Sequence, residues 1–505
     1  MSFKYLKQII ENIKKLDSDV SSYTKTVQNP FLPSIAYVNW ALSMMECGNF
    51  EEAEDKLLSS TLMAHQTPES YINLGVLRFR EKNYYEARKF YIKAIRLDHD
   101  NAKAYCFLAN VLTEMNEFND AEKKFAYALK LEPNNSDIMI NWGISLVRQR
   151  KFEQAKEKFE QACKFNRANF MAIYFLGLID LELGDIEKAK EKFEIVSSTV
   201  PEHYEAFYYI AYINYKNKNY NQSLEYALKS LEICPEKSET YMLIAENYMN
   251  LGNAEECFKY YDLGQKECEI GYYFFISWGI SLQQFEFYEH SKEKFYKAIE
   301  IDDKNELGFM YLGNAFYRMK DYDNATSTLN KALEINPGNI YSLEILGQID
   351  FDRENYREAI KYFNLALKNS AKAVGNYAKI AQAYFLEGEM EKAKHYYQKA
   401  VEYQPEEAQV YIDYAKFLIE QKDYEAALKK LQNAYKINDS DLECLNLLFY
   451  VNYILANENL SDYNIESAIE IAEQIEKNYP DSFIYNEEKQ KLEARLDSKS
   501  KEKQQ

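Results

Sequence analysis

The side chains best suited to catalysis are scarce in this 505-residue chain, and none is spaced for it. Histidine occurs only at 65, 99, 203, 290 and 395, and no His, Cys and Asp set has the spacing of a metal site. The seven cysteines (47, 106, 163, 234, 257, 268 and 444) lie far apart without a CxxC. They offer no zinc framework and fit reduced thiols in a cytoplasmic protein. A Gly-rich phosphate loop, a GxSxG elbow and an HExxH helix are all missing from the sequence. Acid pairs such as Glu51-Glu52 and Glu255-Glu256 are what solvated helix faces carry. The expectation is a non-catalytic chain with no cofactor and no metal.

The remaining chemistry is that of recognition. The stretch YEAFYYIAYINYKNKNY (204–220) holds six tyrosines, and a tyrosine ring can bury apolar surface while its hydroxyl hydrogen-bonds. Whether these rings are core or surface depends on the element that carries them. Composition narrows the partners: a formal charge of −19, with Lys and Arg scattered among acids, argues against nucleic acid. The longest strongly apolar stretch, GYYFFISWGISL (271–282), falls short of the roughly 20 residues a bilayer needs, so no membrane insertion is expected. The opening MSFKYLKQII lacks a cleavage-site pattern, again pointing to the cytoplasm.

The elements emerge from a period. A small residue stands at 53, 87, 121, 155, 189, 223, 257, 291, 325, 359, 393 and 427, every interval being 34 residues; it is Ala except at Ser223, Cys257 and Ser291. Twelve residues earlier runs a second series of Gly or Ala only, from Ala41, Gly75, Ala109 and Gly143 through Gly279 to Ala415. Small residues at both places let two helices approach closely. Gly48, Gly184, Gly252 and Gly388 suit the left-handed residue that ends a first helix, and Pro133, Pro201, Pro235, Pro337 and Pro405 suit the stop after a second. The residue three before the main Ala series is apolar throughout, for example Phe50, Tyr84, Tyr220 and Tyr424, and reads as inter-helix core.

This pattern resembles the tetratricopeptide repeat family over 34–441, twelve contiguous units with the family's aromatic-small pair visible as Trp40-Ala41, Trp142-Gly143 and Trp278-Gly279. The resemblance implies an all-α, right-handed superhelical α-solenoid whose first helices line a groove for extended peptides or partner helices. Residues 442–481 read as a degenerate thirteenth repeat whose insertion falls in the loop ANENLSDYN, and 482–505 as a capping helix and polar tail. Residues 1–33 read as an amphipathic helix and linker, with Leu6, Ile9, Ile10, Ile13 and Leu16 on one side. That helix caps the array, enters the groove or dimerises.

At 100° per residue, Phe207, Ile210, Ala211 and Asn214 form the packing arc of the sixth first helix. Tyr208, Tyr212 and Tyr215 form a second stripe facing the expected groove, with Tyr209 at its edge and Tyr220 in the core. Met171, Tyr174 and Leu178 extend the stripe before it, and Ile276, Ile280, Met310, Asn314 and Tyr317 beyond it. Asn39, Asn73 and Asn141 point amides inward, similar to the asparagine ladder in the repeat arrays of O-linked N-acetylglucosamine transferases, although Phe107 interrupts them. The carboxylate clamp of co-chaperone repeats is not expected, because Val38, Ile72, Cys106, Ile140 and their counterparts stand where its first lysine would. Groove charges are mixed (Glu69, Lys103, Asp137, Glu205, Glu239) and point to no simple acidic or basic ligand. The functional expectation is a protein-interaction scaffold or adaptor that takes a peptide or helical segment of a partner protein. The alternatives are an architectural subunit joined through its convex face or termini, homo-oligomers included, and, more distantly, a regulatory module of a glycosyltransferase-like system.

Overall fold

The computed structural model describes residues 32–63, 66–166, 169–459 and 462–502, which form 27 α-helices, two short 3-10 turns and no strand. The chain is an all-α solenoid in two compact units, the first ending at Leu251 and the second beginning at Gly252. The amphipathic stretch expected near the N-terminus lies outside the described residues; the first described helix, Leu32–Glu46, already begins within the expected linker.

In the first unit, helices such as Pro68–Arg80 and Tyr84–Leu97 pair antiparallel, and the pairing recurs through Tyr204–Lys216 and Tyr220–Ile233. Asn101, Asn135 and Asn169 cap first helices by accepting backbone N–H groups that have no partner inside the helix. The two small series meet as expected, and against them stands a third buried residue that the period did not single out. Gly75, Gly143 and Gly177 face the rings of Tyr91, Phe159 and Phe193 so closely that an added Cβ would sit 2.5–2.9 Å from the ring. The helix crossing is therefore an aromatic ring laid on bare backbone.

Each first helix ends in the same backbone device. Gly48, Gly184, Gly252 and Gly388 have φ of 76–85°, and eight non-glycine residues at the equivalent place, from Lys82 (60°) to Lys422 (60°), adopt it too. The following N–H then bonds back across the turn, as in Asn83 N to Arg78 O at 2.8 Å and Asn219 N to Asn214 O at 2.8 Å.

The second unit repeats the arrangement from Tyr272–Gln284 and Tyr288–Ile301 to Ala408–Glu420 and Tyr424–Ile437. Its last pair, Leu442–Asn459 and Asp462–Asn478, takes up the inserted residues by lengthening both helices, so most of ANENLSDYN is helical rather than loop. The final helix, Asn486–Glu502, includes residues expected to be tail. A second difference concerns Phe50, Tyr84, Tyr220 and Tyr424, which are half-buried instead of core. They open second helices and close edge-on over the end of the preceding helix, as Tyr84 does on Phe79 at 5.5 Å and Tyr220 on Tyr215 at 6.0 Å.

Candidate functional site

The places on the first helix fall into closed and open sets. The residue three before the small position is closed by the neighbouring repeat: Ile276 and Met310 are each only 5% exposed, as are Val38 and Cys106. Ile276 and Met310 are therefore packing residues with no surface to offer a ligand, and Tyr174 and Tyr208 at the same place are half-buried. Most residues one and four beyond the small position stay open, Thr113 being a buried exception. Leu178, Tyr212, Tyr215, Ile280, Asn314 and Tyr317 all sit there and all keep part of their surface, while Met171, at the entrance of its helix, is exposed.

In the first unit these residues converge. Tyr209 stacks on Phe193 at 5.1 Å, Tyr174 meets the same ring edge-on at 5.9 Å, and His203 lies 4.8 Å from Tyr174. Tyr208 stands edge-on to Tyr209 at 5.3 Å and stacks with Tyr212 at 6.5 Å. Burial raises the Tyr174 and Tyr208 hydroxyls above their usual value, and burial with the nearby Glu246 pushes Tyr215 up to about 12. All three stay protonated near neutrality and keep a donor. Beside them a cleft of about 360 Å³ is lined by Phe175, Leu178, Leu181 and Tyr209 together with Arg148, Arg150 and Glu182.

The inward asparagines serve the scaffold as well as the surface. Asn73 and Asn141 donate to the carbonyls of Glu69 and Asp137 one helical turn back, at 2.9 and 2.7 Å, and Asn141 accepts from Asn110 of the preceding repeat at 2.9 Å. Both border small clefts of about 310 Å³ between consecutive first helices, whereas Asn39 is exposed. In the second unit, Asn314 donates to Gln283 at 3.3 Å, and Tyr317, pushed up to about 12 by burial and Asp352, donates to that carboxylate at 3.2 Å.

The period alone does not single out the amides at the open place: Asn110, Gln348 and Gln382 join Asn314 directly after their small residues, at intervals that are multiples of 34. Reading the neighbour of each small residue would have found them. For catalysis the arrangement offers little. His203 caps its helix by accepting from Ala206 N at 3.3 Å, and among the described residues no group of His, Cys, Asp and Glu could hold a metal ion. No described helix is long and apolar enough to cross a membrane.

Models described as tetratricopeptide repeat match residues 68–101, 140–189, 174–238, 307–339 and 384–448. No curated protein matches the chain. Among solved structures, yeast Tom70 is 17% identical, with 88% of this chain and 99% of that one covered and a TM-score of 0.44. PilF of Pseudomonas aeruginosa is 21% identical over 39% of this chain and 90% of that one, at 0.36. A tetratricopeptide repeat protein from Parabacteroides merdae is 17% identical over 49% and 98%, at 0.40. The matched segments fall on the paired helices, and in them the chain carries tetratricopeptide repeats.

Proposed function

We propose that this protein is a non-catalytic interaction scaffold that holds a peptide or helical segment of a partner protein on the first helices of its fifth and sixth repeats. The observation that carries the reading is the open tyrosine face of Tyr212 and Tyr215 beside the cleft lined by Leu178 and Tyr209. Rings that project from a rigid helix lose little conformational freedom on binding, and their hydroxyls can grip a partner's backbone. The test compares proteins retained from lysate by the wild type and by Tyr212→Ala with Tyr215→Ala. Tyr208 is left intact because its half-buried ring also packs between helices. A partner that binds the wild type should lose more than about 1 kcal/mol of affinity on the variant at unchanged melting temperature. Identical retained proteins would sink the reading.

An architectural role has one observation in its favour. Near the C-terminus Tyr463 is 61% exposed and Ile484 75% exposed, which is apolar surface suited to a contact with another chain. Sedimentation of the wild type and of Tyr463→Lys with Ile484→Lys tests it; an assembly that falls apart in the variant would support this role, and a monomer in both would remove self-assembly.

A further inference from the structure

The inference rests on the groove reading and adds the chemistry of the partner. We infer that the tyrosine face takes a segment bearing lysine or arginine, its cations lying over the rings of Tyr208 and Tyr212 and paired with the carboxylates of Glu239 and Glu246.

Three observations carry it. The stacked and edge-on contacts of Tyr208, Tyr209 and Tyr212 make one continuous cluster of ring faces, and such faces attract cations through the ring quadrupole. The face already holds a cation of its own: the Lys216 ammonium lies 5.1 Å from the centre of Tyr212 and 6.0 Å from that of Tyr215. Carboxylates lie within electrostatic reach of the ring hydroxyls. Glu239 and Glu246 both act on the Tyr208 hydroxyl, and Glu205 and Glu182 act on Tyr209.

The basic groups nearby are engaged or lie at the border. Arg148 pairs with Glu114 at 2.8 Å, and Lys237 sits over Tyr204 at 5.7 Å; Arg150 lines the cleft together with Glu182. The mixed charge expected along the groove is thus mixed only over its length, since Lys103 and Asp137 belong to repeats well before the tyrosines. An acidic segment would meet like charge here, and a purely apolar one would strip water from carboxylates without compensation. A basic segment meets both ring and carboxylate, and the formal charge of −19 would steer its approach.

The test is calorimetric titration of the full chain with three blocked heptapeptides in which leucine alternates with arginine, glutamine or glutamate. The arginine peptide should bind about tenfold tighter than the glutamine peptide at low salt, with the advantage shrinking at high salt. Glu239→Gln with Glu246→Gln should weaken the arginine peptide about fivefold and leave the glutamine peptide unchanged. Tyr212→Leu, which keeps apolar bulk and removes the ring, should weaken it by a similar factor at an unaltered melting temperature. The inference fails if the arginine peptide binds the wild type no tighter than the glutamine peptide, or if both variants bind it as the wild type does. A glutamine or glutamate peptide that binds the wild type at least as tightly as the arginine peptide and is lost from Tyr212→Ala with Tyr215→Ala would overturn the basic partner and leave the groove reading standing. Loss of neither peptide nor lysate partner in that variant would overturn both.

Discussion

At the scale of single residues, the chain tolerates local cost where the repeat geometry demands it. Lys82 holds φ of 60° at a turn where Gly48 and Gly184 hold the same conformation freely. A side chain in the left-handed region costs about 1–2 kcal/mol, and glycine gives part of that back through its larger unfolded-state entropy. Lys82→Gly should therefore stabilise the protein by about 0.5–1 kcal/mol, read from denaturant unfolding. Unchanged stability would mean that the turn relieves the strain in another way. Asp180 presents the opposite case, a fully buried carboxylate held by Lys156 at 3.0 Å and by Lys192. Burial pushes its pKa upward, but the hydrogen bonds and charges of the two lysines outweigh burial and leave the carboxyl below its usual value. A depressed folded pKa contributes stability above the unfolded value of about 3.9, and that contribution disappears as pH falls through the lower folded value. Asp180→Asn should cost about 2–3 kcal/mol at neutral pH, since both lysines remain partly solvated, and the two proteins should converge in acid. A gap that persists at low pH would assign the loss to packing instead of charge.

At the scale of the helix pair, the crossing is built from a small residue facing a ring, and the repeats serve as controls for one another. Gly143 lies under Phe159, where an added Cβ would stand 2.7 Å from the ring, yet Ala109 faces Phe125 and Ala245 occupies the same place in another repeat. Gly143→Ala should accordingly change stability by under about 1 kcal/mol, while Gly143→Leu should cost at least about 2 kcal/mol by overpacking. Equal stability of the two variants by thermal or denaturant unfolding would overturn the register. Four of the pairs also lay a cation over a ring. Trp40, Trp142, Trp278 and Tyr414 each lie under a lysine sixteen residues on, with Lys56, Lys158, Lys294 and Lys430 at 3.7, 4.1, 3.3 and 5.0 Å from the ring centres. Where Leu74 or Ile210 replaces the aromatic residue, Phe90 or Tyr226 replaces the lysine, whereas Leu108 and Leu176 are followed at the same distance by Lys124 and Lys192. The helix pairs were legible in the sequence because glycine and alanine at fixed intervals admit only one close crossing. Burial of Ile276 and Met310 was not, because a single-helix projection shows which side a residue faces and nothing of the neighbouring helix that covers that side. The half-buried Tyr84 and Tyr220 misled for a related reason: closing a turn over Phe79 or Tyr215 selects an aromatic residue as strictly as a core does. The C-terminal insertion escaped because extra residues can lengthen two helices as readily as a loop.

At the scale of the whole molecule, a solenoid is as firm as the contact from each repeat to the next. From the second repeat to the sixth that contact is a pair of rings across the boundary: Tyr91 tilted on Phe107 at 5.7 Å, then Phe125 stacked with Trp142 at 6.1 Å, Phe159 with Phe175 at 5.2 Å and Phe193 with Tyr209 at 5.1 Å. The series breaks at the sixth repeat, where Ala227 takes the ring's place and Leu243 the place of its partner. The same region buries polar side chains. Asn247 donates to Ser223, which donates to Ala211 O, while the amide oxygens of Asn214 and Asn247 have no partner among the described residues. A lost aromatic stack forgoes about 0.5–1.5 kcal/mol, and each unsatisfied buried oxygen costs about 1–3 kcal/mol. The repeat that displays the tyrosine face thus lacks the ring contact that the four repeats before it make, and amide oxygens are buried there without a partner among the described residues. Amides of 204–250 should exchange with deuterium at least about tenfold faster than those of 102–165 in the free protein. A partner seated on Tyr212 and Tyr215 should slow exchange in 204–250 first, because ligand that binds only the folded repeat raises the free energy of opening it. Equal protection of both segments in the free chain would show that the polar network holds as firmly as the stacked rings. Protection that rises elsewhere on binding would move the contact away from the tyrosines and onto another face of the solenoid.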